Sequence, residues 1–451
     1  MIKFVDLFCG TGGIRLAFEQ VCRELDIASE CVLSSEIDKK AAKSYMRNFM
    51  EDPLCDITEL HDFPDFDFLL AGFPCQSFSY AGKQQGFGDT RGTLFFDVER
   101  ILKKMRPKYF LLENVRGLVS HDRGRTFETI KKKLEEIGYG VAYLLLNSSD
   151  FGVPQNRVRI YILGKMNSEV NLTLKSDLGA SDTHSFKIKN SSQEIESFLP
   201  GLFESKKNEC PTVESILENN VPDKYYCSER FLAQLNKVVG HEYEKLHGYR
   251  LIDYRGGKSI HSWQLGVKGE CTHDEIHFMN QLIANRRRKT FGKHQDGKSL
   301  SKEQILSFYD PEKFDVVVEG LVKKGYISIN NGLYNPVCGN MSFEVFKFLD
   351  PQGISITLTA SDSNRLGIVQ NNIPRRITPR ECARLQGYPD DYKLIEDDAA
   401  VYKQMGNGVS VPVIRAVLSD FITQNFDGIS DSVQVRHRNI FPPQIPSSLR
   451  A

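Results

Sequence analysis

The stretch FVDLFCGTGGIRLAF, residues 4–18, decides the fold. Its first half is an apolar run of strand character that breaks into Gly10, Gly12 and Gly13, and its second half has helical spacing. A strand, a glycine turn and a helix in that order open a βαβ unit. Glycines at such a turn let a ligand approach the backbone, and the helix N-terminus offers free amides. The spacing G-x-G-G is not the dinucleotide pattern G-x-G-x-x-G, so the match to a pyrophosphate loop is imperfect. Glu36 ends the next strand, where a carboxylate usually bonds ribose hydroxyls, and Asp56 follows the next helix, placed for an adenine amine. Gly-rich connections are common; the two acids tilt the reading toward a nucleoside site.

The same alternation runs through the first 165 residues. Strand patterns at ECVLSSEI, FDFLLAG and YFLLENV alternate with helical patterns at KKAAKSYMRNF and TFETIKKKLEEIG, and GVAYLLLNSSDFG and RVRIYILG close the series. Such a succession predicts an α/β fold with a mostly parallel sheet. From about residue 166 the chain turns polar and Ser/Asn-rich, and residues 200–372 mix short strands, glycine turns and basic clusters, the texture of a second domain. Within it, SKEQILSFYDPEKFDVVVEGLVKKGYISINNGLY reads as two helices and a hairpin turning at NNG. The tail from 427 is Pro/Ser-rich and reads as extended.

Composition excludes several classes. The chain has 451 residues, 40% hydrophobic and 26% charged, as ordinary globular proteins have. Its net charge is zero, so any surface for a polyanion must be local. The ten cysteines show no CxxC pair, which argues for a reducing compartment and against a disulfide framework. No signal peptide or run of transmembrane length is present, so the expectation is a cytoplasmic protein with no membrane.

Cys75, in GFPCQSFS, follows a proline at the carboxyl end of a predicted strand, where open α/β sheets place their chemistry. A structural, a redox and a nucleophilic thiol are the three readings; the lack of a neighbouring cysteine disfavours redox work. Glu113, in ENV, ends the neighbouring predicted strand. A lone Glu there is more often solvated or capping, but beside Cys75 it suggests an acid/base partner for a nucleophile. Arg157 and Arg159, in QNRVRIY, fall on one face of a strand, either as a solvated edge or as a holder of an anion or carbonyl. The segment CTHDEIH, 271–277, imitates a zinc helix, but its order is wrong and it lacks a fourth ligand, so no metal is expected. Between 245 and 300 stand eleven Lys/Arg against five Asp/Glu. Arg286, Arg287, Arg288 and Lys289 lie there, near Arg255, Lys258 and the only tryptophan, Trp263. A charge run is usually a solvated face; this local excess in a neutral chain favours a phosphate-tracking surface with loops for bases.

FVDLFCGTGGIRLAF, GFPCQSFS, ENVRGL, QNRVRIYILG, RRITPRECARLQGYP and MGNGVSVPVI, in this order, closely resemble the signature blocks of C5-cytosine DNA methyltransferases of the bacterial restriction-modification type. The resemblance implies a Rossmann-like S-adenosylmethionine-dependent methyltransferase fold and a smaller, mixed target-recognition domain. It divides the chain into a discontinuous catalytic domain at 1–185 and 392–426, a target-recognition domain at 186–391 that includes TPREC, and the tail 427–451. It implies S-adenosylmethionine along Phe8, Gly10, Thr11 and Gly13, with Glu36 on the ribose and Ile37, Asp56 and Ile57 around the adenine. Pro74, Leu94, Asn407 and Val409 complete that pocket, so the final helix returns to the N-terminal sheet. S-adenosylhomocysteine would be the product. Cys75 would attack C6 of a flipped cytosine, Glu113 would hold its N3/N4 edge, and Arg159, with Arg157 in support, would bind O2. The partner implied is double-stranded DNA, acted on by a monomer in the prokaryotic cytoplasm or nucleoid, with a cognate restriction endonuclease at the same site. A tRNA-cytosine methyltransferase on the same fold lacks support, because its CFT signature is absent. An inactive DNA-binding regulator is disfavoured by the intact Cys75, Glu113 and Arg159.

Overall fold

The computed structural model describes residues 1–74, 94–176, 211–291, 299–338 and 343–426. The fold-deciding stretch forms β1 (Ile2–Leu7), a turn, and α1 (Gly13–Glu24). The chain continues through β2 (Ser29–Ser35), α2 (Lys39–Phe49), β3 (Phe68–Ala71), α3 (Leu94–Met105), β4 (Tyr109–Val115), α4 (Arg125–Ile137), β5 (Tyr139–Asn147) and β6 (Val158–Met166). The six strands form one sheet in the order β2-β1-β3-β4-β6-β5. The first four are parallel, and β6 runs antiparallel to both its neighbours.

The local reasons are plain in the sequence. The runs FLLA and YFLLEN are buried throughout, as strands covered on both faces must be. Asp38 caps α2 by accepting from the amides of Lys40 and Ala41. In α4, Phe127, Ile130, Leu134 and Ile137 line one buried face, and Gly138 stops the helix in the left-handed region. The strand order reverses between β2 and β3 on either side of β1, so the carboxyl ends of β1 and β3 flank the crevice where such sheets bind ligands.

Two units divide the described chain. The first comprises Met1–Ile216, Ile354–Ser363 and the residues from Pro379 onward; the second comprises Leu217–Gly353 and Asn364–Thr378. The helix Val411–Asn425 lies on the first unit's sheet, where Phe421 meets Phe68 and Tyr109 at 5.9 and 5.8 Å between centroids. Arg415 of that helix pairs with Glu24 of α1 at 2.7 Å. These boundaries correct the sequence reading. The helix Pro379–Leu385, all of TPREC but its threonine, belongs to the first unit, as do residues 211–216 and 354–363. The reason is local bonding: Arg384 donates to the Ile216 carbonyl at 3.1 Å, and Leu358 N donates to Gln155 Oε1 at 2.9 Å. The expected tail, 427–451, lies outside the described residues.

The second unit holds β7 (Arg250–Leu251), β8 (Ser259–Ile260), β9 (Leu300–Ser301), β10 (Ile327–Asn330), β11 (Leu333–Pro336), β12 (Lys347–Phe348), β13 (Leu366–Gln370) and β14 (Ile373–Arg376). They form a three-stranded sheet, β10-β11-β9, and a five-stranded mixed one, β14-β13-β12-β7-β8. The helices Lys302–Leu306 and Pro311–Lys323 precede a hairpin that turns at Asn331 and Gly332, both left-handed, as the NNG reading expects.

Candidate active site

β1 gives way to three left-handed residues, Phe8 (φ 53°), Gly10 (φ 55°) and Gly12 (φ 78°). The start of α1 carries no side-chain cap. The Glu36 carboxylate holds this turn: one oxygen accepts from Gly10 N at 2.9 Å and the other from Asp38 N at 2.7 Å. Glu36 also bridges to the segment at Leu54, which brings Asp56 alongside. Asp56 is exposed and uses Oδ1 to close its own turn onto Thr58. Ile37 is 67% exposed, an apolar side chain left uncovered beside that acid, whereas Ile57 is buried in the core. Asp6 was not singled out from sequence. It is buried under the turn, neither oxygen has a hydrogen-bond partner, and burial, opposed by Arg15, pushes its pKa up to about 8.

The chain's far end closes this turn. A Cβ on Gly13 would stand 2.4 Å from Tyr388 Oη and 2.8 Å from Val409 Cγ2, so only glycine lets the two segments meet. Thr11 Oγ1 and Tyr388 Oη share a hydrogen bond of 2.7 Å, and Tyr392 Oη donates to the Thr11 carbonyl. Sequence reasoning placed Val409 here but missed both tyrosines, whose signal is the pair of aromatics in GYPDDY. Asn407 is exposed at the end of the helix Asp398–Asn407.

Arg157 departs from its expected role. It is 1% exposed, and its guanidinium donates to the carbonyls of Leu358 (3.0 Å), Gly406 and Gly408. Burial and the neighbouring Arg159 push its pKa down, while those carbonyls hold the charged form. Arg157 therefore braces the returning segment, with its guanidinium spent on backbone carbonyls.

Glu113 and Arg159 do meet. β4 and β6 pair so that Glu113 faces Tyr161 and Val115 faces Arg159. The Arg159 Nε lies 3.2 Å from Glu113 Oε1. Burial raises the Glu113 pKa above its ordinary 4.5, with Arg159 and then Arg157 opposing. β3 runs beside β4 with Ala71 opposite Leu112, so Gly72 is level with Glu113, and a Cβ on Gly72 would be 3.8 Å from Glu113 Oε2. Asn114 Nδ2 donates to the Phe73 carbonyl at 3.2 Å and pins the turn at half-buried Pro74. Cys75 is the next residue; it and the residues through 93, among them Gly82, Gly86, Gly88 and Gly92, which the sequence reads as a loop, lie outside the described residues. Leu94, half-buried, opens α3.

In the second unit the DNA-binding expectations divide. Trp263 is 1% exposed, stacks on His261 at 4.4 Å and donates Nε1 to Asn280 at 3.0 Å. It is a core residue and cannot lie on DNA. Arg286 is buried too, because it continues the inward face of the helix His273–Asn285 after Phe278 and Leu282. Arg287 is half-buried, and Arg288, Lys289, Arg255 and Lys258 are exposed. The segment CTHDEIH starts that helix, with Thr272 and Glu275 forming a capping box and Glu275 paired to Lys324.

A model of the C-5 cytosine-specific DNA methylase family matches residues 2–423. The chain is 62% identical to the type II methyltransferase M.BanI of Aneurinibacillus aneurinilyticus, over 94% of this chain and 96% of that protein. It is 59% identical to M.HgiCI of Herpetosiphon aurantiacus, over 93% and 97%. M.NlaIV of Neisseria lactamica is 41% identical over 92% and 97%. Among solved structures, the S. pombe Dnmt2 methyltransferase aligns with a TM-score of 0.51 at 15% identity, over 94% of this chain and 100% of that one. A putative DNA modification methyltransferase from an E. coli prophage gives 0.51 at 19%, over 94% and 99%. At such identities the structural likeness speaks to the fold.

Proposed function

Because the chain belongs to the C-5 cytosine-specific DNA methylase family and is a type II DNA (cytosine-5-)-methyltransferase, we propose that it methylates a flipped cytosine through a Cys75 adduct, with Glu113 and Arg159 as its partners on the base. The observation that carries this reading is the buried Glu113–Arg159 pair level with the Gly72–Pro74 turn that leads into Cys75.

Cytosine C5 is a poor nucleophile. Addition of the Cys75 thiolate to C6 forms a C–S bond and shifts the ring's electrons toward C5. Glu113, whose raised pKa keeps a proton closer to neutrality, holds N3 and the N4 edge as charge develops there. Arg159 holds O2. When bound, S-adenosylmethionine would supply the methyl to C5 as an electrophile, its S–CH3 bond breaking to give S-adenosylhomocysteine. Loss of the C5 proton to water then expels Cys75 as a thiolate and restores the ring's double bond. A stacked base exposes none of these atoms, so the cytosine must leave the duplex.

The residues at the carboxyl ends of β1 and β2 suit a nucleoside sulfonium. The left-handed turn at Phe8, Gly10 and Gly12 brings backbone close to a ligand, Glu36 and Asp56 are acids for the ribose and the adenine amine, and exposed Ile37 offers an apolar face to the purine. Val409 and the tyrosines at 388 and 392 back the turn, and Arg157 positions the segment that carries Val409. The second unit would select the DNA site. We place the enzyme in the prokaryotic cytoplasm as a monomer whose cognate restriction endonuclease acts on the same sequence. No helix among the described residues is long and apolar enough to cross a membrane.

The test is transfer of labelled methyl from S-adenosylmethionine to duplex DNA and, in parallel, to tRNA. Bisulfite sequencing of DNA from expressing cells then finds the site. Label in DNA alone is expected; label in tRNA alone would overturn the assignment of DNA as this chain's substrate.

A further inference from the structure

The five-stranded sheet of the second unit gathers cations that form no ion pair among the described residues. β12 sets Lys347 directly opposite Arg250 of β7, and Arg250 N donates to the carbonyl of Lys258 at 3.0 Å, just before β8. Lys347 Nζ donates to the Gly248 carbonyl at 2.6 Å. The Lys258 side chain reaches the same place: its Nζ is 3.9 Å from where a Cβ on Gly248 would stand. Among the described residues, no carboxylate forms an ion pair with Arg250, Lys258 or Lys347. Burial, followed by Arg250 and Lys258, pushes the Lys347 pKa down to about 8, with Asp350 opposing. Like charges held together this way favour a further anion, for Asp350 forms no ion pair with any of the three.

Beside this cluster stands a loop with fixed feet and a free tip. Buried Asp253 accepts from Ser262 N and Ser262 Oγ, both at 2.7 Å. His261 Nδ1 donates to the Ile252 carbonyl at 2.6 Å, and its ring lies on Trp263. Between these feet run Tyr254, Arg255, Gly256, Gly257 and Lys258, and both glycines face open space. Arg255 is exposed, with its guanidinium 5.5 Å over the Tyr254 ring. The buried aromatic and its polar neighbours thus serve as the loop's anchor.

We propose that Arg250, Lys258 and Lys347 cradle one backbone phosphate of the substrate DNA, and that the anchored loop thereby presents Arg255 to a base edge of the target sequence. The inference rests on the reading of this chain as a DNA methyltransferase. A phosphodiester carries the single negative charge and the acceptor oxygens that converging ammonium and guanidinium groups lack. An arginine on a fixed loop suits bidentate bonding to guanine in the major groove.

The experiment uses full-length protein and measures binding to cognate and scrambled duplexes across a salt series, alongside methyl transfer. Lys258→Ala and Lys347→Met should each weaken binding to both duplexes and flatten the salt slope by about one unit. Lys347→Arg should restore it. Arg255→Ala should reduce the preference for cognate DNA roughly ten- to hundred-fold. Wild-type slopes in Lys258→Ala and Lys347→Met, with unchanged thermal midpoints, would overturn the cradle. Lys258 is exposed, so its variant decides the matter if Lys347→Met fails to fold. A wild-type protein that binds DNA with the expected slopes yet transfers no methyl to it would sink the enzymatic reading and leave the cradle standing.

Discussion

The two units use charge in opposite ways. In the first, Asp6, Glu113, Arg157 and Arg159 are buried or nearly so, and Glu113 and Asp6 have raised pKa values. In the second, Arg255, Lys258, Arg288 and Lys289 are exposed, while Trp263 and His261 beneath them are buried. Chemistry on a base needs groups whose protonation and direction are set before substrate arrives, and burial sets both. Recognition of a duplex needs charges that meet phosphates at the surface, on a base rigid enough to aim them. One protein can therefore exchange its recognition surface while its chemical site stays fixed.

The largest effect that would sharpen this contrast is at Cys75. Cys75→Ser should reduce methyl transfer to background while S-adenosylmethionine affinity changes by no more than a few-fold, measured by label incorporation and calorimetry. Substantial turnover would sink the covalent step. With 5-fluorocytosine at the target, wild type should form a stable protein–DNA adduct and the serine variant none.

Glu113→Gln should cost about 10²- to 10⁴-fold in rate with DNA binding retained. The sign of its pH dependence follows from burial. A carboxyl whose folded pKa is raised contributes stability in full below the ordinary value of 4.5, and that contribution is lost as pH rises through the folded value. Wild-type kcat should therefore fall over that same rise, while the variant's profile is flat there and its Tm at alkaline pH is no lower than wild type's. A lower Tm would make Glu113 a structural residue.

Trp263→Ala tests the other unit. Removal of this buried ring should destabilise by about 3–5 kcal/mol, seen in denaturant melts, and abolish discrimination between duplexes. Cofactor affinity should remain near wild type; its loss would mean that the two units do not divide the work. Glu36→Ala is smaller, a rise of roughly ten-fold in the cofactor's KM with kcat little changed, about 1.4 kcal/mol of lost binding. A fall in kcat alone would remove Glu36 from the ribose. Smallest is the pair Arg288→Ala and Lys289→Ala, expected to flatten the salt slope of DNA binding by about one unit each and leave the methylated sequence unchanged. An unchanged slope would make them a solvated face.

Much of the first unit was legible because its signals are local. Short runs of strand character mark the strands, and their carboxyl ends carry Glu36, Glu113 and, after FLLA, the Gly72–Pro74 turn into Cys75. What sequence did not show depends on contacts distant along the chain. Tyr388 meets Thr11 across 377 positions, and no pattern near either residue announces the other. Trp263 sits in a polar, basic stretch and reads as a base contact; its burial is decided by the stacked His261 and by Asn280 one helix away. Arg286 did carry a usable signal, the helical spacing after Phe278 and Leu282, but the run of four cations drew attention to charge instead of periodicity. The unit to which the helix Pro379–Leu385 belongs is not legible in the sequence, because adjacency is a poor guide where the chain passes four times between units.

The contact of Gly13 with Tyr388 and Val409 has a consequence for the order of synthesis. Thr11 in the turn after β1 and Tyr388 in its backing stand 377 positions apart. At roughly 5–20 residues per second, tens of seconds separate the two on the ribosome. In that interval a nascent chain carries Cys75, Glu113 and Arg159 but not the residues that back the turn. Activity should thus begin only after Val409 has been made, and a chain truncated before Tyr388 should fold most of its first sheet and methylate nothing.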